Sequence, residues 1–396
     1  MLGCESVKHA RCRISQAAVI DRLSKRTHNN ISAINSGWVV CRSFSADLIG
    51  TLVALRLYRL TQSGSGLCTR KELHIKVTLI HNPKAGDHSR PSDDEIVRMI
   101  RKAGHKVKYQ SCKEKKWKKA LKKPCDIVAV AGGDGTVGKV ARELIEKRIP
   151  IAVLPLGTAN NIANSLGIAD IRLQDLIASW NTARSINFDS GVAKGPWGTE
   201  NFVEGFGVGL FAETMVELES GDMELPSEKP ERVIPAVMKI LNEQVDHFPA
   251  KNMVVQLDGK DVSGEYVMLE ALNIRYIGPN LNLVSAAQMN DGFLDVVFVT
   301  KRDRRKLSKH ISDRLSGKTT RGTLTVRRGQ HLQIEWENSP IHIDDMTWPT
   351  EKDRTALKSN AIDIRIDPAA LVFLAPEEEK AATTTSKKKI KKSNRG

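Results

Sequence analysis

No run of 18 apolar residues occurs in this chain, so none of its helices is expected to span a bilayer. The nearest approach, Leu48 to Leu60, is short and carries Arg56 and Arg59. Zinc spacing is missing too. The six cysteines, at 4, 12, 41, 68, 112 and 125, form no C-x-x-C pair, which fits reduced thiols in a reducing compartment. No internal repeat is visible, so a repeat array is set aside. Aromatic residues make up 5% of the chain. In its most basic stretch, Arg101 to Lys123, only Tyr109 and Trp117 occur and no nucleic-acid motif accompanies them, so no nucleic-acid partner is expected.

What is present describes a globular protein. The 396 residues are 40% apolar and 27% charged, enough for two domains with a large core. The net charge of +15 is uneven. Residues 1–74 hold 11 Lys/Arg against 4 Asp/Glu, residues 376–396 hold 7 against 3, and Arg101–Lys123 has 11 basic residues and one acid. Residues 1–74 read as a basic arm, either disordered, a transit peptide or a start-site extension. Residues 377–396 read as a Lys-rich disordered tail. A Lys-rich helix bearing Trp117 suits an anionic lipid surface; a solvated basic face is the plainer alternative.

Between these ends the texture is regular. "IKVTLI" reads as a buried strand, and Ser92 with Glu95 as a capping box opening a helix that Gly104 ends. "HKVKY", "DIVAVA" and "IPIAVLPLG" read as further strands, with helices over 113–123, 137–147 and 160–166. Continuous apolar strands alternating with helices predict an α/β domain over 75–188, its parallel sheet covered on both faces. From 189 to 376 the pattern becomes strand after strand, with two helices near 230–247 and 303–315, and predicts a mainly antiparallel β-sandwich.

The chemistry sits in "VAVAGGDGTVGKVARELI". Gly133 to Lys139 spells most of a P-loop, but Val140 stands where the magnesium-binding Ser or Thr belongs. Asp134 lies at the loop's centre instead. A carboxylate there would repel phosphates unless a cation lay between them, which points to Mg²⁺–nucleotide. Gly132, Gly133 and Gly135 allow close backbone approach. A second strand–turn–helix, "VLPLGTANNIA", and the turn "NPKAG" after the first strand complete three loops at one sheet edge.

"HNPKAG", "GGDGTV" and "PLGTANNIA", in this order, resemble the diacylglycerol kinase catalytic-domain family of lipid kinases, related to sphingosine and ceramide kinases. "EGFGVGLFA", "NIRYIGPNLNLVSAAQMNDGFLDVVFV" and "IDPAALVFLAP" extend the resemblance over 75–376. The resemblance implies an NAD kinase/diacylglycerol kinase-like fold and ATP- and Mg²⁺-dependent phosphorylation of a lipid hydroxyl. It implies a cytoplasmic protein, peripheral at the membrane. ATP contacts would come from Asn82, Pro83, Lys84, Ala85, Gly86, Ser111, Gly132, Gly133, Asp134, Gly135, Thr136, Val137 and Thr158. Asp134 would organise phosphate and Mg²⁺. In "QMNDGF", Asp291 with the Gln288 and Phe293 backbones would bind a structural Mg²⁺, or the segment is only a hairpin turn. The general base would be Asp344 in "IHIDDMTWP", on the strand face opposite Ile341 and Ile343. The chain departs from the family pattern at Gly138, Lys139, Asn161, Asp345 and Met346. Those departures leave open a weakly catalytic nucleotide- or lipid-binding protein, or a soluble-substrate kinase of the NAD kinase type. Nothing in the sequence assigns an oligomeric state.

Overall fold

A computed structural model describes residues 74–86, 89–123, 125–221, 230–318, 324–337, 339–349 and 360–377. The basic arm up to residue 73 and the tail from 378 lie outside the described residues. The first segment builds β1 (Lys76–His81), α1 (Asp93–Lys102), β2 (Lys106–Ser111), β3 (Ile127–Gly132), α2 (Asp134–Arg142), β4 (Ile151–Pro155), α3 (Asn161–Ser165) and α4 (Leu173–Ser179). Strands lie in the order β4-β3-β1-β2, all parallel. Every residue of β3 is buried, as expected of a central strand with both faces covered. Ser92 and Glu95 form the capping box at the start of α1, which buries Ile96 and Ile100.

Two helical expectations and one strand expectation change. The Lys-rich stretch forms only a short 3₁₀ turn, Trp117–Lys122, anchored by buried Leu121. With one buried apolar residue among many lysines, tertiary packing gives a longer helix little support. The helix expected over 137–147 starts earlier, at Asp134, and ends at Arg142. The run "NFVEGFGVGL" is not one strand.

The later chain continues with β5 (Arg184–Gly195), β6 (Gly198–Phe202), β7 (Gly205–Gly209), α5 (Leu210–Ser220), α6 (Pro230–Val245), β8 (Lys251–Met253), β9 (Val255–Leu257), β10 (Lys260–Asp261), β11 (Gly264–Leu272), β12 (Tyr276–Ile277), β13 (Leu281–Asn282), β14 (Leu294–Thr300), α7 (Arg304–Leu315), β15 (Thr325–Gly329), β16 (His331–Trp336), β17 (Ile341–Ile343), β18 (Met346–Trp348) and β19 (Asn360–Ala375). One antiparallel sheet runs β15-β14-β11-β7-β17-β18. Its inner face packs on strands β5, β6, β9, β16 and β19 through a core that includes Phe202, Phe206, Phe298, Trp336 and Ile362. Its outer face is covered by α5, α6 and α7 through Phe211, Leu241, Met268 and Leu307.

β19 ties the halves together. Its early residues pair with β16, its length pairs with β5, and Phe373 pairs in parallel with Ile151 of β4. The described residues, from 74 to 377, accordingly belong to one compact unit. Among the described residues no helix is long and apolar enough to cross a membrane.

Candidate active site

The three glycine-bearing turns meet at the carboxyl ends of β1, β3 and β4. The amide of Asn82 donates from Nδ2 to Thr136 Oγ1 at 3.1 Å, while its Oδ1 accepts from the backbone of Lys84. The Leu156 backbone N–H donates to Gly132 O at 3.0 Å. Gly133 and Gly157 pack backbone against backbone, and a Cβ on Gly157 would stand 2.3 Å from Gly133 Cα. Gly86 has φ +75°, and a Cβ there would meet Leu156 O at 2.4 Å. Ser111 pairs with His81 at the end of β2, on the same sheet edge. Asn82 to Gly86, Ser111, Gly132 to Val137 and Thr158 thus come to one edge.

Asp134 is less open than a loop carboxylate would be. Its Oδ1 accepts the Ile162 backbone N–H at 3.0 Å at the start of α3. Burial raises its pKa, and the backbone N–H groups of α3 pull the other way.

Around it gather three more carboxylates, two of them not assigned a role from sequence. Glu204, between β6 and β7, is 6% exposed. Its Oε2 accepts from Asn161 Nδ2 at 2.9 Å. Burial, then the nearby charges of Asp134 and Asp344, push its pKa well above the ordinary carboxyl range. Asp345 is 38% exposed at the side chain and lies against the glycine loop, so that a Cβ on Gly135 would stand 2.3 Å from its Oδ2. Lys139 Nζ is 3.8 Å from it. A lone acid inside the apolar run "NFVEGFGVGL" was the available signal for Glu204.

Asp344 departs from the expected strand geometry. β17 ends at Ile343, and Asp344 turns through φ +51° with its carboxylate buried. Oδ1 accepts the backbone N–H groups of Val203, Glu204 and Gly205 at 3.1, 2.8 and 3.3 Å. Oδ2 accepts Val203 N–H at 3.1 Å and Arg142 Nη1 at 2.9 Å. Burial pushes its pKa up to about 6, with Arg142 and those N–H groups opposing. Arg142, on α2, had no sequence signal. Beneath lies a buried pair, His342 Nε2 with Glu270 Oε2 at 2.8 Å.

The carboxylates form the polar end of a cavity of about 320 Å³. Asp134, Thr158, Asn161 and Glu204 line one end, and Phe211, Met215, Leu218 of α5 with Ile234, Val237, Leu241 of α6 line the rest. An apolar slot therefore opens onto the glycine loops.

The proposed metal loop falls elsewhere. The Asp291 carboxylate pairs with Arg328 and accepts Phe293 N–H at 3.1 Å, and Gln288 is exposed. Asp189 anchors this loop instead, accepting from Gly292 and Ala369 at 2.7 Å each. With a guanidinium already on Asp291, these residues do not fit a cation. Near the glycine loops Asp134, Glu204, Asp344 and Asp345 gather, with Arg142 and Lys139 against the last two, and among the described residues no three such side chains are placed to hold a metal ion.

Comparison with known proteins gives a consistent picture. Residues 76–193 match the family model described as the diacylglycerol kinase catalytic domain. Residues 228–375 match the YegS C-terminal NAD kinase beta sandwich-like domain. A diacylglycerol kinase of Bacillus subtilis is 24% identical over 240 residues, 56% of this chain and 74% of that protein. A probable lipid kinase, YegS-like, of Klebsiella pneumoniae is 30% identical over 197 residues, 46% and 58% of the two chains. The crystal structure of a diacylglycerol kinase from Bacillus anthracis superposes with a TM-score of 0.55 at 19% identity, covering 76% of this chain and 98% of that one. That likeness establishes the fold.

Proposed function

We propose, from the match of residues 76–193 to the diacylglycerol kinase catalytic domain and of 228–375 to the YegS C-terminal domain, that the chain is an ATP- and Mg²⁺-dependent lipid kinase, acting on the hydroxyl of diacylglycerol or a similar lipid. One observation carries this reading. The glycine-loop edge and the apolar slot between α5 and α6 share Asp134 and Thr158 as lining residues. A phosphate donor on the loops and an apolar tail in the slot would bring γ-phosphate and alcohol together, and positioning is most of what phosphoryl transfer asks of a protein.

In this reading the backbones of Gly132, Gly133 and Gly135 approach the phosphates, and Asn82 with Thr136 braces the loop. Asp134 would organise Mg²⁺, which when bound neutralises charge on the transferred group. Asp344, clamped by Arg142 and three backbone N–H groups, holds the turn that presents Asp345 and fixes the backbone of Glu204. The family pattern has acids where this chain has Lys139, Asn161 and Met346, and Glu204 and Asp345 stand beside the glycine loops as carboxylates that would serve a working kinase. The exposed lysines around Trp117 would hold the protein at an anionic bilayer.

The test is transfer from radiolabelled ATP to a panel of lipid alcohols, with NAD included. The reading expects label in lipid. Label only in NAD would assign a soluble substrate, and ATP binding without transfer would assign a binding protein.

A further inference from the structure

We infer that His342 and Glu270 act as a positioning pair, holding the Asp344–Asp345 turn against the glycine loops. This role rests on the kinase reading. Glu270 of β11 and His342 of β17 are both register partners of Gly207, on the β7 strand between them. Their side chains meet over that glycine, Nε2 to Oε2 at 2.8 Å. A Cβ on Gly207 would stand 2.2 Å from Glu270 Oε2 and 2.3 Å from His342 Nε2. Only glycine in that row lets the two side chains meet.

Stability does not account for such a pair. The side chains of His342 and Glu270 are 1% and 0% exposed, and Glu270 Oε1 is buried without a hydrogen-bond partner. Polar groups so placed carry a desolvation cost that well-packed apolar residues avoid. What the pair delivers is a fixed imidazole at the polar end of the slot, where His342 lines the cavity with Asp344 and Asp345. Its Nδ1 lies 3.3 Å from the Asp344 carbonyl oxygen. A carbonyl only accepts, so Nδ1 carries the proton of that bond, and Glu270 fixes the ring from its other side.

The turn needs holding. Asp344 has φ +51°, in the left-handed region that a residue with a side chain enters at a cost. Its backbone N–H donates to Gly205 O at 2.9 Å, and its carboxylate is held by Arg142 and the backbone of residues 203–205. His342 holds the carbonyl, which begins the peptide leading to Asp345. Asp345 in turn lies against Gly135 of the glycine loop. Releasing the carbonyl would therefore move a carboxylate at the phosphate loop and leave the core in place.

The experiment uses the full chain, ATP and whichever alcohol of the panel wild type phosphorylates. The double variant Glu270→Leu with His342→Leu should unfold at a temperature close to or above that of wild type. Its kcat should fall about 10–10²-fold, the scale of a misplacement of about 1 Å, with the KM for ATP unchanged. Glu270→Leu with His342→Asn returns an amide donor near the Nδ1 position and should recover most of that loss. A Leu–Leu enzyme at wild-type rate would overturn the inference. So would a loss that Asn does not relieve, or one matched by a loss of folded protein in circular dichroism, since the pair would then be structural. Transfer to NAD alone, with the same order of variants, would sink the lipid reading and keep the positioning role. A lipid kinase indifferent to both double variants would do the reverse, and transfer to no alcohol would end both.

Discussion

Arg142 and Asp344 are both shielded, with side-chain exposures of 14% and 1%. Breaking such a pair from one side leaves a buried charge without its partner, at a cost of about 3–5 kcal/mol. Arg142→Met should lose stability on that scale at pH 8, read by denaturant unfolding. The sign with pH follows from linkage. Without Arg142, the folded-state pKa of Asp344 rises above its present value of about 6. The variant then takes up a proton at higher pH than wild type, so its deficit should shrink as pH falls toward 5. A deficit independent of pH would mean that packing, not charge, is what Arg142 contributes.

Asp134 makes a different prediction. Asp134→Asn should abolish Mg²⁺-dependent ATP turnover. The fold should survive with a loss of roughly 0.5–1.5 kcal/mol, because the amide oxygen can still accept Ile162 N–H but more weakly. Near-normal turnover in steady-state assays would remove Asp134 from the nucleotide site.

At the scale of elements, α5 and α6 wall the slot that, on the proposed reading, admits the lipid. Val237 lies on the slot's α6 wall, partly exposed. Val237→Trp should raise the KM for lipid at least tenfold, roughly the value of two buried methylenes, and leave the KM for ATP alone. An equal rise in both would mean the slot does not hold the acceptor. The strands and the phosphate loops were legible in the sequence, because buried parallel strands are continuous apolar runs and glycine turns punctuate them. α5 was not. Its first residues, Leu210 to Ala212, continue the apolar run of β7, and only the turn at Gly209, φ +94°, separates helix from strand. The site was legible in part for a related reason. Asp134 announces itself inside a glycine loop, whereas Glu204 and Arg142 reach the site by long-range packing. Asp344 stood out in the sequence as a candidate, but its saturated carboxylate depends on a turn that strand alternation could not foresee.

At the scale of the whole molecule, the parallel sheet is not self-sufficient. Its core includes Val203, Ile274, Ala370, Leu371 and Phe373 from beyond the α/β segment. A fragment of 75–188 should therefore fail to unfold cooperatively, while 72–377 should fold and bind ATP like the full chain. Circular dichroism during heating checks both. Cooperative unfolding of the short fragment would show that β19 is dispensable to the sheet.

On the proposed reading, the glycine loops and the apolar slot form one site for an alcohol with an apolar tail. The measurement that tests it most directly is kcat/KM for a series of freely soluble glycerol esters of increasing chain length, at saturating ATP. If the tail enters the slot, kcat/KM should rise by up to about fourfold per added methylene, about 0.8 kcal/mol each, and level off once the slot is full. A rate independent of chain length would contradict the claim.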